Sequence, residues 1–76
     1  MTPAELLHAT GEALYGPLWQ SQLARDLVCN VRTVQRWAAG THEPPPSIWQ
    51  EIRQIAIDRA AALTALVPAL GVAATQ

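Results

Sequence analysis

Lysine is absent from this chain, and its five basic residues are all arginines: Arg25, Arg32, Arg36, Arg53 and Arg59. Six acids stand against them, Glu5, Glu12, Asp26, Glu43, Glu51 and Asp58, for a net charge of −1. Affinity that comes from counterion release needs many neutralised phosphates, so this balance argues against blanket binding to nucleic acid. It leaves room for a small, well-placed contact surface. Cysteine is nearly absent as well. Cys29 stands alone, which rules out an intrachain disulfide and suits a cytosolic setting. With His8 and His42 it offers no metal-ligand spacing, so no metal site is expected and Cys29 reads as a small core hydrophobe.

Other absences narrow the function further. No basic segment followed by an apolar run opens the sequence, so no secretory signal is read there. Residues 60–74 are apolar but short, and Thr64, Pro68 and Gly71 interrupt them. A membrane span needs about 20 apolar residues, so none is expected. Glycine-rich phosphate loops and nucleophile motifs are missing and the carboxylates are scattered, which argues against an enzyme and against a cofactor.

What is present is apolar and helical. Half of the 76 residues are apolar, and folding of a chain this size hides only about 60% of the unfolded surface. The expectation is one domain, residues 1–76, that completes its thin core with a second copy of itself. Thr2-Pro3-Ala4-Glu5 has the form of a capping box and predicts a first helix from Pro3 to about Tyr15, with Leu7 and Leu14 on one face and Gly11 as its weak point. After Gly16, Pro17 can open a second helix, in which Gln20, Leu23, Ala24 and Leu27 share a face. Trp19 and Leu18 compete there for the same buried side.

Val28, Cys29 and Asn30 form a short connection, and Asn30 is a good N-cap for a third helix, Val31 to about Ala39. Val34, Trp37 and Ala38 take one face of that helix, while Arg32, Gln35 and Arg36 take another. Gly40 suits the left-handed residue that closes it. A stiff loop, residues 41–46, leads to a second capping box, Ser47-Ile48-Trp49-Gln50. Ile48, Ile52, Ile55, Ala56, Leu63 and Leu66 then recur at helical steps up to Pro68. Trp37 and Trp49 read as core. From Ala60 onward the fourth helix is apolar all round, so it must be buried against something.

Two short helices with a tight connection form a helix-turn-helix, whose second helix enters the DNA major groove. The outward face of residues 31–39 carries Arg32, Thr33, Gln35 and Arg36, the side-chain types that pair with base edges. Gln20, Ser21 and Gln22 can hold a phosphate at the start of the second helix or be plain surface. Asn30, Thr41 and Arg53 complete the set of phosphate candidates, Arg53 with surface solubility as its alternative role.

At this point the run "LARDL…RTVQRWAAG…PP" resembles the Cro/repressor-like, XRE-type helix-turn-helix proteins of bacteria and phages. The resemblance covers roughly residues 16–52. It implies an all-α, compact four- to five-helix bundle of the Cro/lambda-repressor kind that binds DNA, usually as a dimer. It also implies that Gln20 helps hold a phosphate and that Val31, Arg32, Gln35 and Arg36 face the bases. The chain departs from the pattern where Val28 replaces the usual glycine, because a β-branched residue resists positive φ. An extension of the second helix by one residue is one way around this.

The functional expectation is sequence-specific binding of double-stranded DNA by a small cytoplasmic transcriptional regulator, a repressor in the first instance. Residues 60–76 are expected to form a dimerisation segment with a flexible end, using Leu63, Leu66, Val67 and Leu70. A twofold dimer predicts a palindromic operator. The alternative is a protein–protein adaptor that uses the same scaffold without specific DNA binding.

Overall fold

A computed structural model describes residues Met1–Gln76 as four helices and no strand. They are α1 (Pro3–Tyr15), α2 (Trp19–Leu27), α3 (Val31–Ala39) and α4 (Pro46–Ala74). The capping box at α1 is formed. Thr2 Oγ1 accepts from the Glu5 amide at 3.1 Å, and Glu5 Oε1 accepts from the Thr2 amide at 3.2 Å. Gly16, at φ 82°, ends α1.

Helix α2 begins at Trp19, two residues later than the sequence predicts, because Pro17 and Leu18 are spent on a turn. Trp19 is buried, at 3% exposure, and Leu18 is left 75% exposed. The competition is decided by Gly11 of α1, whose missing Cβ is the notch that the Trp19 ring fills. His8 meets the same ring edge-on at 5.1 Å.

The extension of α2 past Val28 does not occur. Val28 itself takes the left-handed conformation, φ 55° and ψ 49°. The Val28 amide donates to Arg25 O at 3.1 Å and the Cys29 amide to Ala24 O at 2.9 Å. Gly40 ends α3 with the same pair of bonds, from Gly40 to Trp37 O and from Thr41 to Arg36 O. Both are Schellman closures, one on glycine and one on valine. At Val28 the two backbone bonds and the packing of Cys29 against the core outweigh the strain of a β-branched residue at positive φ. Val28 is 91% exposed, so its side chain gives little back. Val28→Gly is expected to stabilise the fold by about 1 kcal/mol, strain relief less the entropy glycine adds to the unfolded chain. That is roughly a 4–8 °C rise in melting temperature for a domain of this size. An unchanged or lower melting temperature would show that the valine conformation is unstrained.

The start of α4 also differs from expectation. Pro45 is its N-cap and Pro46 its first residue, with no side-chain cap. Proline carries a φ already suited to the first turn, so the helix starts before Ser47 and the second capping box does not form. Pro44 is buried, which pins the loop to the body.

Helix α4 then runs straight through Pro68 to Ala74, past the predicted end and through the segment expected to fray. The Thr64 carbonyl loses its bond to residue 68, but it lies at an exposed surface where water can serve it. The interruptions read from the sequence therefore do not interrupt. Helix α4 is long and apolar enough to cross a membrane by length and composition, which revises the length argument made above. Its uncharged part, residues 60–74, extends for only about 22 Å at 1.5 Å per residue.

The core is one cluster: Leu7, Trp19, Leu23, Ala24, Leu27, Val34, Trp37 and Ile52. Ile48, Trp49, Ile55 and Cys29 pack half-buried against it. Leu63 and Leu66, expected on the same buried stripe, are 57% and 55% exposed. The reason is geometric: α4 packs on α1 and α2 along its first half only, and the molecule is 50 Å long but 25 by 22 Å across. Beyond Arg59, α4 projects as a free arm.

A polar tie marks the base of that arm. The Tyr15 hydroxyl donates to Asp26 Oδ2 at 2.6 Å, and Arg59 Nη1 donates to Leu14 O at 3.1 Å. The Arg59 guanidinium also lies 5.4 Å from the centre of the Tyr15 ring. Burial, and then the Asp26 hydrogen bond, push the Tyr15 hydroxyl up to about 12. The folded value lies above the unfolded one, so this contribution is complete below about pH 10 and lost as pH rises toward about 12. Tyr15→Phe should cost about 1 kcal/mol near pH 9. In melts across that window the gap between the two proteins should close as pH rises, and a constant gap would refute the link to Tyr15 ionisation.

Candidate nucleic-acid interface

Helix α3 sorts its side chains by period. Val34 and Trp37 are buried, whereas Arg32, Gln35 and Arg36 are exposed on the opposite side. Val31 is 36% exposed and Thr33 is half-buried, so Thr33 stands at the edge of the outward face. Asn30 caps the helix, its Oδ1 accepting from the Arg32 amide at 2.9 Å. That fixes the first turn and leaves the Asn30 side-chain NH2 as its remaining polar group.

The N-terminal end of α2 lies beside this face. Gln20 and Ser21 line, with Pro17, Leu18, Val31 and Gln35, a crevice of about 200 Å³. Two sets of residues singled out separately in the sequence thus meet at one place. No side chain caps α2, so its first amides point outward with the positive end of the helix dipole. The Ser21 hydroxyl only grazes Leu18 O, at 3.4 Å. Pro17 and Leu18 were not read from the sequence as site residues. The turn that brings them into the crevice depends on where Trp19 is buried, and no local pattern reports that.

Three of the phosphate candidates fare differently. Thr41 Oγ1 donates to Arg36 O at 3.1 Å, so its proton is committed to closing α3. Arg53 lies in a separate groove with Leu6, Thr10, Trp49, Ile52 and Ala56, between α1 and α4. It is not brought to the α3 face. Gln22 is half-buried on α2 and does not line the crevice.

Three of the six acids are grouped in space. Asp26, Glu51 and Asp58 line one groove between α2 and α4, beside Val28. Helix α3 holds two arginines and no acid. Neither Arg32 nor Arg36 forms an ion pair; the one such contact in the molecule is His8–Glu12 at 4.0 Å. Arg59 is the only arginine whose guanidinium hydrogen-bonds to the protein. Exposed guanidiniums one turn apart are free to form two-pronged bonds to acceptors such as guanine O6 and N7 or phosphate oxygens. Burial, and then the nearby Glu51 charge, hold the Cys29 thiol above its usual range, consistent with a packing role.

No family model, curated protein or solved structure matches the chain.

Proposed function

We propose that this chain binds double-stranded DNA as a small transcriptional regulator, with α2 and α3 acting as a helix-turn-helix and α3 entering the major groove. The observation that carries the reading is the outward face of α3, where Arg32, Gln35 and Arg36 are exposed and both arginines lack protein partners. The crevice that joins Gln20 and Ser21 to Val31 and Gln35 supports it. It gives the helix a backbone anchor beside its base-reading residues, as groove readers need. The resemblance to Cro/repressor-like proteins over residues 16–52 points the same way. Repression from the cytoplasm is the simplest use of such a module, since occupying an operator needs no further domain.

The net charge of −1 makes one copy a weak binder, because few phosphates are neutralised. Two copies double the arginines, and a twofold pair calls for a palindrome with half-sites about 34 Å apart. The test is selection of bound duplexes from a randomised pool, followed by mobility shifts on the winners. The expected result is a palindromic consensus. Recovery of no consensus would overturn the proposal. It would favour the adaptor reading, to which the exposed apolar arm of α4 lends some weight.

A further inference from the structure

The two flanks of α4 near its base differ in charge. Toward α2 stand Asp26, Glu51 and Asp58, with no arginine in the same groove. Toward α1 the signs are reversed. Leu6, Thr10, Trp49, Ile52, Arg53 and Ala56 line a hollow of about 310 Å³. A second hollow, of about 400 Å³, shares Thr10 and Ala56 with it and adds Ala9, Ala13, Leu14, Arg59, Ala60 and Leu63. No acid lines either hollow, and two of the five arginines do. These two cations differ in availability. Arg59 is engaged by Leu14 O and the Tyr15 ring, whereas Arg53 is exposed and has neither an ion pair nor a hydrogen bond to the protein. The two hollows make an apolar trough with one free guanidinium, in its first half.

We infer that this trough is a binding site for a free medium-chain carboxylate, its head paired with Arg53 and its tail lying between α1 and α4 toward Leu63. A guanidinium holds a carboxylate through two parallel hydrogen bonds. Each hollow falls within the size range of small-molecule sites, about 300–1,000 Å³. Along the helix, Arg53 and Leu63 are about 15 Å apart. A zigzag of carbon–carbon bonds of about 1.5 Å advances about 1.25 Å per carbon, so about twelve carbons span that distance. Past Leu63 the trough loses a wall, because α1 ends at Tyr15. The site does not depend on the DNA reading, since no residue of α3 lines either hollow.

Charge decides against other occupants. A nucleic-acid backbone or an anionic bilayer surface is held by several cations at once, and here one is free. A second copy could lay its apolar arm in the trough, but residues 60–74 bring no acid to Arg53. A neutral hydrocarbon would cover the apolar walls and leave the guanidinium without a partner. A single negative charge on an apolar chain answers both parts of the lining.

The test is calorimetric titration of the full chain with octanoate, decanoate, dodecanoate and tetradecanoate, each below its micelle-forming concentration. Full burial of a methylene is worth about fourfold in affinity and half burial about twofold. In an open trough affinity should therefore rise about twofold per carbon up to dodecanoate and then level off. Arg53→Ala should weaken dodecanoate about tenfold, the worth of a hydrogen bond to a charged group. Arg53→Glu should reverse the preference, so that dodecyltrimethylammonium binds and dodecanoate does not. Ala60→Trp fills the far hollow from an exposed position. It should hold dodecanoate to the affinity of octanoate while changing octanoate little. Arg53 and Ala60 are both exposed, so circular dichroism should show unchanged helix content in all three variants. A wild type that binds none of the acids at millimolar concentration, equal affinity for dodecanoate and dodecyltrimethylammonium, or no loss in Arg53→Ala would overturn the site. So would co-sedimentation with phosphatidylglycerol vesicles without binding of the free acid, which would give the trough to a membrane. A dimer that excludes dodecanoate would overturn it too, by giving the trough to a second copy.

Discussion

Gly11→Ala is expected to destabilise the protein by about 2–3 kcal/mol, although alanine is the better helix former. In an exposed helix interior the exchange would gain about 1 kcal/mol. Here the new methyl falls inside the Trp19 ring, 2.8 Å from Cγ and closer still to two other ring carbons. Trp19 is 3% exposed and packed into the only core the chain has, so the ring has no free direction in which to move. Overpacking of this kind costs about 1–3 kcal/mol or more, and loss of the tryptophan seat adds to it. A domain of this size holds roughly 4–11 kcal/mol in all. The melting temperature should therefore drop by about 10–20 °C. The notch itself is tested by a double-mutant cycle. Trp19→Leu alone should be destabilising, but in the Gly11→Ala background it should cost far less, with a coupling of at least about 1 kcal/mol. Additive effects, or a Gly11→Ala protein that melts at or above wild type, would mean that the ring does not occupy the glycine notch.

That glycine shows where reading the sequence reaches its limit. In the sequence Gly11 is only a weak point of α1, because propensity is a local property. Its purpose is a contact with a residue on the next helix, and the contact exists only after α1 and α2 have packed. The same holds at Val28. Local sterics argue for extending α2, but two backbone bonds and the placing of Cys29 decide for a left-handed valine. Helix existence, the Thr2 and Asn30 caps and the split of α3 into buried and exposed faces were legible, since each follows from short-range spacing. Arg53 was not separable from the α3 residues by sequence. Which groove it lines depends on how α4 crosses α1. The end of α4 was misjudged because Pro68 reads locally as a stop, whereas the helix accepts the one lost backbone bond and continues to Ala74.

The charge balance takes on a different sense once positions are known. Three acids gather in a groove between α2 and α4 that no residue of α3 lines. A chain of net charge −1 can therefore present a helix, α3, that holds two arginines and no acid. For the DNA binding proposed above, long-range attraction is weak in this arrangement, so affinity should depend on short-range contacts and on two copies of α3 acting at once.

Arg36→Ala is the substitution expected to expose that dependence most strongly. A two-pronged arginine–guanine contact is worth about 1–3 kcal/mol of discrimination. On a palindrome bound by a twofold pair the substitution removes the contact from both half-sites. The loss should then be about 2–6 kcal/mol, roughly 30-fold to 10⁴-fold in affinity for the selected site. A probe with a single half-site should register only half of that free energy. Preference at one symmetry-related base pair should relax, while the dependence of affinity on salt stays the same. A phosphate contact would behave in the opposite way, weakening all sequences alike and lowering the salt slope by about 1 per contact. Fold stability serves as the internal control. Arg36 is exposed and forms no ion pair, and the Arg36 carbonyl that accepts from Thr41 is backbone and survives the change. The melting temperature should therefore move by no more than about 0.5 kcal/mol would allow. An Arg36→Ala protein that folds normally and still binds the selected palindrome at full strength would remove α3 from the interface, since no other exposed helix face in the molecule pairs two free arginines one turn apart.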